Sequence, residues 1–301
     1  MIARVPKELE PELRRAVRLG WWTIGWQLSI VALMALVLGS SQAMKTAWIE
    51  DLLGLVPAIV FLIALRIERL PPDRRFPFGF TRVNSLAFLA SAVVLTGMGL
   101  YLIFDSGQKL LMAEHPTLGA ERLFGQTVWI GWLMIGALAY SIVPPVILGR
   151  LKQPVAEALA DKVLHTDALM QKADWMTGAA GILGILGVGL GFWWADSAAA
   201  LIIAIDIVRD GSRATRVAIA ELVDGTPRRL GGPEVSDDAK ALEARLEEMF
   251  PGADVRLRET GRYIWAEVHG VTPPDAPPDL SACWAGDPEK AWRLAGVSFS
   301  Y

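Results

Sequence analysis

Long apolar runs alternate with short polar segments along the first two thirds of the chain. A helix needs about 20 mainly apolar residues to cross the hydrocarbon core of a bilayer. Six runs approach that length, at 21–38, 47–67, 80–104, 127–148, 164–190 and 193–208. The pattern therefore predicts a mainly α membrane protein with six transmembrane helices, because a soluble core rarely supplies so many long apolar helices. Residues 1–18 are charged and predict a short amphipathic lead-in helix.

The pattern changes after residue 224, where a linker rich in Pro and Gly begins. Beyond the linker, the spacing of apolar residues predicts one amphipathic helix and three alternating strands, at 234–250, 254–259, 262–269 and 295–301. The first two strands flank Thr260-Gly261, which predicts a hairpin. The predicted organisation is a lead-in (1–18), a six-helix transmembrane domain (19–224) and a small α+β, ferredoxin-like C-terminal domain (225–301). A domain this small is marginal alone, so we expect it to dock or to dimerise.

Positive charge predicts how the chain crosses the membrane. Lysines and arginines cluster in four segments, at 4–18, 66–82, 150–162 and 209–216. The connections on the opposite side carry only Lys45, Lys109 and Arg122. The positive-inside rule then predicts that both termini lie in the cytoplasm. The short connections suit a bacterial inner membrane, and the charged N-terminal segment does not have the pattern of a signal peptide. The single Cys283 excludes an internal disulfide and a cysteine metal cluster.

Carboxylates interrupt two of the apolar runs. Glu50 and Asp51 lie in the second run, and Asp174 lies well inside the fifth. An ionised carboxylate at the bilayer centre costs about 2.5 to 3.5 kcal/mol on insertion scales, so such groups usually face the bundle interior and bind an ion or a proton. These positions predict a cation site within the membrane. The alternative for Glu50 and Asp51 is a solvated helix start at the outer interface, with Lys45 as a partner.

The fifth run presents further candidate ligands on the same helix face. At 100° per residue, Asp167, Met170, Gln171 and Asp174 fall within an arc of about 100°. Carboxylate and amide oxygens favour harder ions such as Mn, Mg or Fe(II), whereas the thioether of Met170 favours softer ions. Met170 is also a common core-filling residue, which is the alternative to a ligand role. Pro57, within the second run, predicts a kink beside the acidic pair.

Three motifs resemble the cation diffusion facilitator, or cation efflux, family. They are FGFTRVNS at 78–85, KADWM at 172–176 and WADS at 194–197, and the six-helix plan with a small C-terminal domain resembles the same family. The resemblance implies a homodimeric transporter that exports a divalent metal such as Zn, Mn, Fe or Co in exchange for protons, by alternating access. It implies no resident cofactor beyond the transported metal. The protein is not expected to be an enzyme, since no metalloprotease or nucleophile-elbow motif is present.

The sequence departs from the family at the ligand positions that the resemblance implies. Glu50 stands at the first ligand position of the second helix and Gly54 at the second, where a ligand is missing. Met170 stands where members of the family have His or Asp, and Asp174 matches. The implied metal site is therefore degenerate, with Asp51, Asp167 or Gln171 as possible substitutes. This departure leaves an alternative function, a transport-inactive member that serves as a membrane interaction or metal-sensing module.

Two further residues have open interpretations. Asp206, in the sixth run, is expected either to face Asp174 or to extend towards Arg209. His269, in the C-terminal domain, is either a regulatory metal ligand or an isolated histidine.

Overall fold

A computed structural model describes residues 5–37, 51–113, 120–123 and 126–300. Each of the six apolar runs lies largely within a helix. These helices are α1 (Glu10–Val37), α2 (Val56–Glu68), α3 (Arg82–Leu111), α4 (Ile130–Ala158), α5 (Lys162–Gly189) and α6 (Ala195–Leu222). By length and apolar composition, one helix in the described ranges, α3, qualifies by itself as a membrane span. The six helices are thus present, and their six crossings stay a prediction.

The first and fourth predicted spans begin differently from the apolar pattern. The lead-in segment and the first apolar run form one continuous helix, α1, after a short 3₁₀ turn at Lys7–Leu9. Residues 127–129, predicted to begin the fourth span, belong instead to a hairpin of β1 (Ala120–Leu123) and β2 (Gln126–Trp129). β-Branched and aromatic residues in the second strand favour this conformation over a helix.

The sequence predicts a kink at Pro57, and the structure shows the helix interrupted just before that residue. Residues 51–54 are helical, a turn follows at Leu55, and α2 then starts at Val56 with Pro57 in its first turn. Proline lacks the N–H that a continuous helix would need at this position, and it is tolerated in a first turn, where that N–H would have no partner. The break separates Asp51, in the helical stretch before Leu55, from α2.

The helices pack around a shared apolar cluster to which all six contribute. Its buried members include Leu19, Phe61, Phe88, Leu159, Leu164 and Val217. Helices α3 and α6 come very close to each other at two glycines, Gly99 of α3 and Gly211 of α6. A Cβ atom on Gly99 would lie 2.9 Å from the backbone nitrogen of Val208, and one on Gly211 would lie 2.7 Å from that of Thr96. These two glycines therefore allow backbone-to-backbone contact between α3 and α6.

The C-terminal region has the predicted α+β character. Helix α7 (Asp237–Met249) packs on a three-stranded sheet of β3 (Asp254–Thr260), β4 (Tyr263–His269) and β5 (Leu294–Ser300), with a short α8 (Leu280–Cys283) before the last strand. The predicted hairpin is confirmed, since β3 and β4 are antiparallel; β5 lies parallel to β4. In the described residues this order corresponds to the ferredoxin-like βαββαβ order without its first strand.

The turn between β3 and β4 inserts among the ends of the long helices, so the expected docking of the C-terminal domain is observed. Arg262, at this turn, is fully buried. Its Nη1 donates to Glu68 at the end of α2 over 2.7 Å, and its Nε donates to Asp161 over 2.9 Å. Asp161 also caps α5, accepting from the backbone N–H of Leu164 at 2.8 Å. Burial raises the pKa of Glu68, and the Arg262 charge opposes that shift.

A second buried ion group lies beside the first. Lys162 donates to Glu221 of α6 over 2.8 Å and also pairs with Glu259 of β3. Burial lowers the pKa of Lys162, but the charges of Glu259 and Glu221 outweigh burial and raise this pKa above its ordinary value. The backbone N–H of Gly261 donates to Ser85 Oγ at 2.9 Å. Buried ion pairs therefore hold the C-terminal domain to the helices.

Candidate cation site

Asp174 faces the part of the second run that contains Gly54. Position 54 directly adjoins it, because a Cβ atom on Gly54 would lie 3.7 Å from Asp174 Oδ2. The same Cβ would lie 3.2 Å from Nε2 of Gln27 on α1. Position 54 thus lies beside Asp174, as the family resemblance implies. Because glycine has no side chain, the end of the Gln27 side chain can lie close to position 54.

Gln27 is a site residue that our sequence reasoning missed. Its side chain is 4% exposed, and its Nε2 donates to the backbone carbonyl of Asp51 at 3.2 Å. The amide oxygen accepts hydrogen bonds, and it is a hard ligand atom for a metal ion. A signal was present in the sequence, since Gln27 is a polar amide inside the first apolar run. Such residues in a membrane helix usually bond across helices.

The acidic pair of the second run is described only in part. Asp51 is half-buried and helical, and its backbone carbonyl accepts from Nε2 of Gln27. Glu50 lies outside the described residues. The structure therefore brings Asp51, Gly54, Gln27 and Asp174 together, from three segments of the chain.

The other predicted members of the α5 face turn towards different neighbours. Asp167, Met170 and Gln171 are all buried. Asp167 bonds to Lys152 of α4, with its Oδ2 2.6 Å from the lysine Nζ. Met170 packs in an apolar cluster with residues of α3 and α6, among them Leu95, Met98, Leu102, Ala204 and Ile207. This is the packing of a core-filling methionine.

Lys152 corrects the charge count made on the sequence. The positive-inside argument treats it as part of a cytoplasmic connection, but Lys152 is in α4 and its side chain is 0% exposed, as is that of Asp167. The reason is that α4 continues to Ala158, beyond the apolar run, so that its last turns pack against α5. The sequence shows where a charged residue stands, but not whether the helix directs its side chain into the core or to solvent.

Asp206 and His269 lie outside this group. Neither expectation for Asp206 holds, because it pairs with Lys172 at 2.8 Å, and Asp210 pairs with the same lysine at 3.0 Å. His269 Nδ1 lies 2.6 Å from Ser300 Oγ, within the C-terminal sheet. Within the described ranges, no three His, Cys, Asp or Glu side chains converge as a metal-binding group. A metal site at Asp174 would therefore need Gln27, backbone oxygen or Glu50 as further ligands.

A bundle of long apolar helices with a carboxylate between them is the architecture of a membrane transport protein for cations. Residues 24–223, well over half of the chain, match the cation efflux transmembrane domain. The chain belongs to the cation efflux family, and the resemblance drawn from its motifs is confirmed.

Several bacterial transporters are similar over most of their length. The cation-efflux pump FieF of Shewanella oneidensis is 23% identical over 249 residues, covering 80% of this chain and 76% of its own. The manganese efflux system protein MneS of Bacillus subtilis is 22% identical over 243 residues, with the same coverage. A probable cation efflux system protein of Mycobacterium tuberculosis is 25% identical over 273 residues, covering 90% of this chain and 75% of its own.

Proposed function

We propose that this protein exports a divalent metal ion in exchange for protons, by alternating access at a site centred on Asp174. The observation that carries the proposal is the meeting of Asp174 with Gln27 and Gly54, which joins three segments around one intramembrane carboxylate. Such carboxylates mark ion pathways. Removal of the carboxylate charge, combined with a transport assay, tests the proposal.

The ligand chemistry favours harder ions. Asp174 supplies carboxylate oxygen, Gln27 supplies an amide oxygen, and Asp51 or Glu50 supplies the remaining acidic group. An oxygen-rich set of this kind suits Mn²⁺ or Fe²⁺ better than a soft ion. A similar protein is named for manganese efflux, so Mn²⁺ is the first ion to test. Asp167 is a further candidate ligand, once released from Lys152, and Met170 is the least favoured because of its apolar packing.

The proposed setting is a bacterial inner membrane crossed six times, with both termini in the cytoplasm and two copies of the chain forming a homodimer. The distribution of lysine and arginine supports this orientation. The C-terminal domain would then lie under the cytoplasmic ends of the helices. The transport-inactive alternative predicts the same fold without metal flux, so a flux assay separates the two functions.

Metal binding is expected to weaken as the pH falls. Only the deprotonated carboxylate binds a metal ion, so protons compete directly with the metal at Asp174. We expect the apparent Kd for Mn²⁺ to rise by up to about tenfold for each unit of pH below the carboxylate pKa. Isothermal titration of the purified protein at several pH values measures this dependence. A Kd that stays constant from neutral to acidic pH would contradict a carboxylate-centred site.

Restoring a carboxylate at position 54 is expected to tighten metal binding. In Gly54→Asp the new side chain begins 3.7 Å from Asp174 Oδ2, and the flexible end of Gln27 has to move aside. A second carboxylate beside the first adds a charged ligand to the site, and we expect the Kd for Mn²⁺ to fall by about tenfold. Gly54→Asn, which has nearly the same size without the charge, is the matched control. Equal affinities in the two variants would show that position 54 does not face the metal.

A further inference from the structure

We propose that Lys152 is a built-in competitor for the transported cation and sets how tightly the site binds it. This inference rests on the proposed function. The ammonium of Lys152 lies 2.6 Å from Oδ2 of Asp167, and both side chains are fully excluded from solvent. A charged amine held on a buried carboxylate takes the place that a metal ion would otherwise take on that oxygen.

The position of the pair along α5 relates it to the candidate site. Asp167 precedes Asp174 by seven residues, which is about two helical turns or 10 Å, on the same helix face. In the proposed orientation, the pair stands between Asp174 and the cytoplasmic end of the bundle. A cation that approaches Asp174 from that side therefore meets an ammonium already bound to the first carboxylate.

The pair is incompletely satisfied, which distinguishes it from a purely structural contact. Oδ1 of Asp167 and Nε2 of Gln171, one turn further along α5, are buried and make no hydrogen bond with the described part of the chain. A buried polar atom without a partner costs stability. A buried ion pair is itself often no more stabilising than apolar residues of similar size. These costs favour a role in which Asp167 changes partners, from Lys152 to the metal.

The charge of Lys152 has a direct consequence for affinity. A positive charge on Lys152, in contact with Asp167, opposes the arrival of a divalent ion and favours its release. A transporter gains from this effect, since a site that binds too tightly releases its ion slowly. Lys152 thus sets the affinity of the proposed site, and its removal is expected to increase affinity instead of reducing it.

The test is Mn²⁺ titration of the purified full-length protein at one fixed pH. In Lys152→Gln the amide still donates to Asp167, so folding is protected while the charge is removed. We expect the Kd for Mn²⁺ to fall by about tenfold or more, equivalent to about 1.4 kcal/mol. Lys152→Arg keeps the charge and should bind as the wild type does. Lys240→Met, at a solvent-exposed lysine of α7, is the control and should change nothing.

A second variant shows that the gain depends on the freed carboxylate. In Lys152→Gln with Asp167→Asn, the affinity should return to that of Asp167→Asn alone. An unchanged or weaker Kd in folded Lys152→Gln would overturn the proposal. So would loss of folding in both Lys152→Gln and Lys152→Met, because the pair would then be structural.

Failure of this inference is separable from failure of the proposed function. If Asp174→Asn loses Mn²⁺ binding while Lys152→Gln binds as the wild type does, only the role of Lys152 is wrong. If Asp174→Asn binds Mn²⁺ as tightly as the wild type, the site itself is wrong. If neither the wild type nor Lys152→Gln binds the ion, both are wrong.

Discussion

Asp174→Asn is expected to abolish metal transport while leaving a folded protein. The substitution keeps the size of the side chain and removes the negative charge that attracts the metal ion beside Gln27 and Gly54. Even outer partners of a metal ligand are worth 10- to 100-fold in affinity or activity, so loss of the central carboxylate should reduce Mn²⁺ flux by at least about 100-fold. Uptake into proteoliposomes containing the purified variant measures the effect.

The control for this experiment is Asp105→Asn. Asp105 is a partly exposed carboxylate of α3 that pairs with Lys109 at 2.6 Å, far along the chain from the candidate site. Its flux should match that of the wild type. Thermal unfolding of both variants in detergent establishes that they are equally folded. Wild-type flux in Asp174→Asn would remove this residue from the transport site.

Arg262→Met is expected to destabilise the protein by about 3 to 5 kcal/mol, because it leaves two carboxylates buried without their counter-charge. Arg262 bonds to Glu68 at 2.7 Å and to Asp161 at 2.9 Å, and its side chain is 1% exposed. Methionine fills the space and supplies neither charge nor donors. Chemical or thermal unfolding of the purified full-length protein measures the change.

The same hairpin offers a matched control. Arg256, on β3, pairs with Asp254 at 2.7 Å, but its side chain is 65% exposed. An exposed pair is usually worth no more than about 1 kcal/mol, so Arg256→Met should be nearly silent. Similar losses from the two substitutions would mean that burial of the Arg262 group adds nothing to the docking of the C-terminal domain.

The elements of this fold were largely predictable because their signals are local. Apolar runs long enough for a membrane coincide with α1 to α6, and alternation around Thr260-Gly261 marks the β3–β4 hairpin. The β1–β2 hairpin was missed because its strands have only four residues each, too few for a clear period. Pro57 predicted the break before α2 for a chemical reason, the missing N–H.

The candidate site was predictable only in part because its contacts are distant in sequence. Asp174 was identified from one carboxylate in an apolar run. Gln27 was missed because its bond to Asp51 spans 24 residues and depends on how α1 packs. Lys152 was counted as a loop charge, since its burial depends on the face that α4 turns to α5. Arg262 lies 194 residues from Glu68, a pairing that helical or strand periodicity does not encode.

Proton-driven Mn²⁺ transport tests the central claim most directly. Purified protein is reconstituted into liposomes, a pH gradient is imposed, and Mn²⁺ uptake is followed with a trapped fluorescent indicator while internal pH is recorded. We expect Mn²⁺ uptake against an opposite movement of protons, present in the wild type and lost in Asp174→Asn. Uptake no faster than in protein-free liposomes, or equal uptake by the wild type and Asp174→Asn, would contradict it.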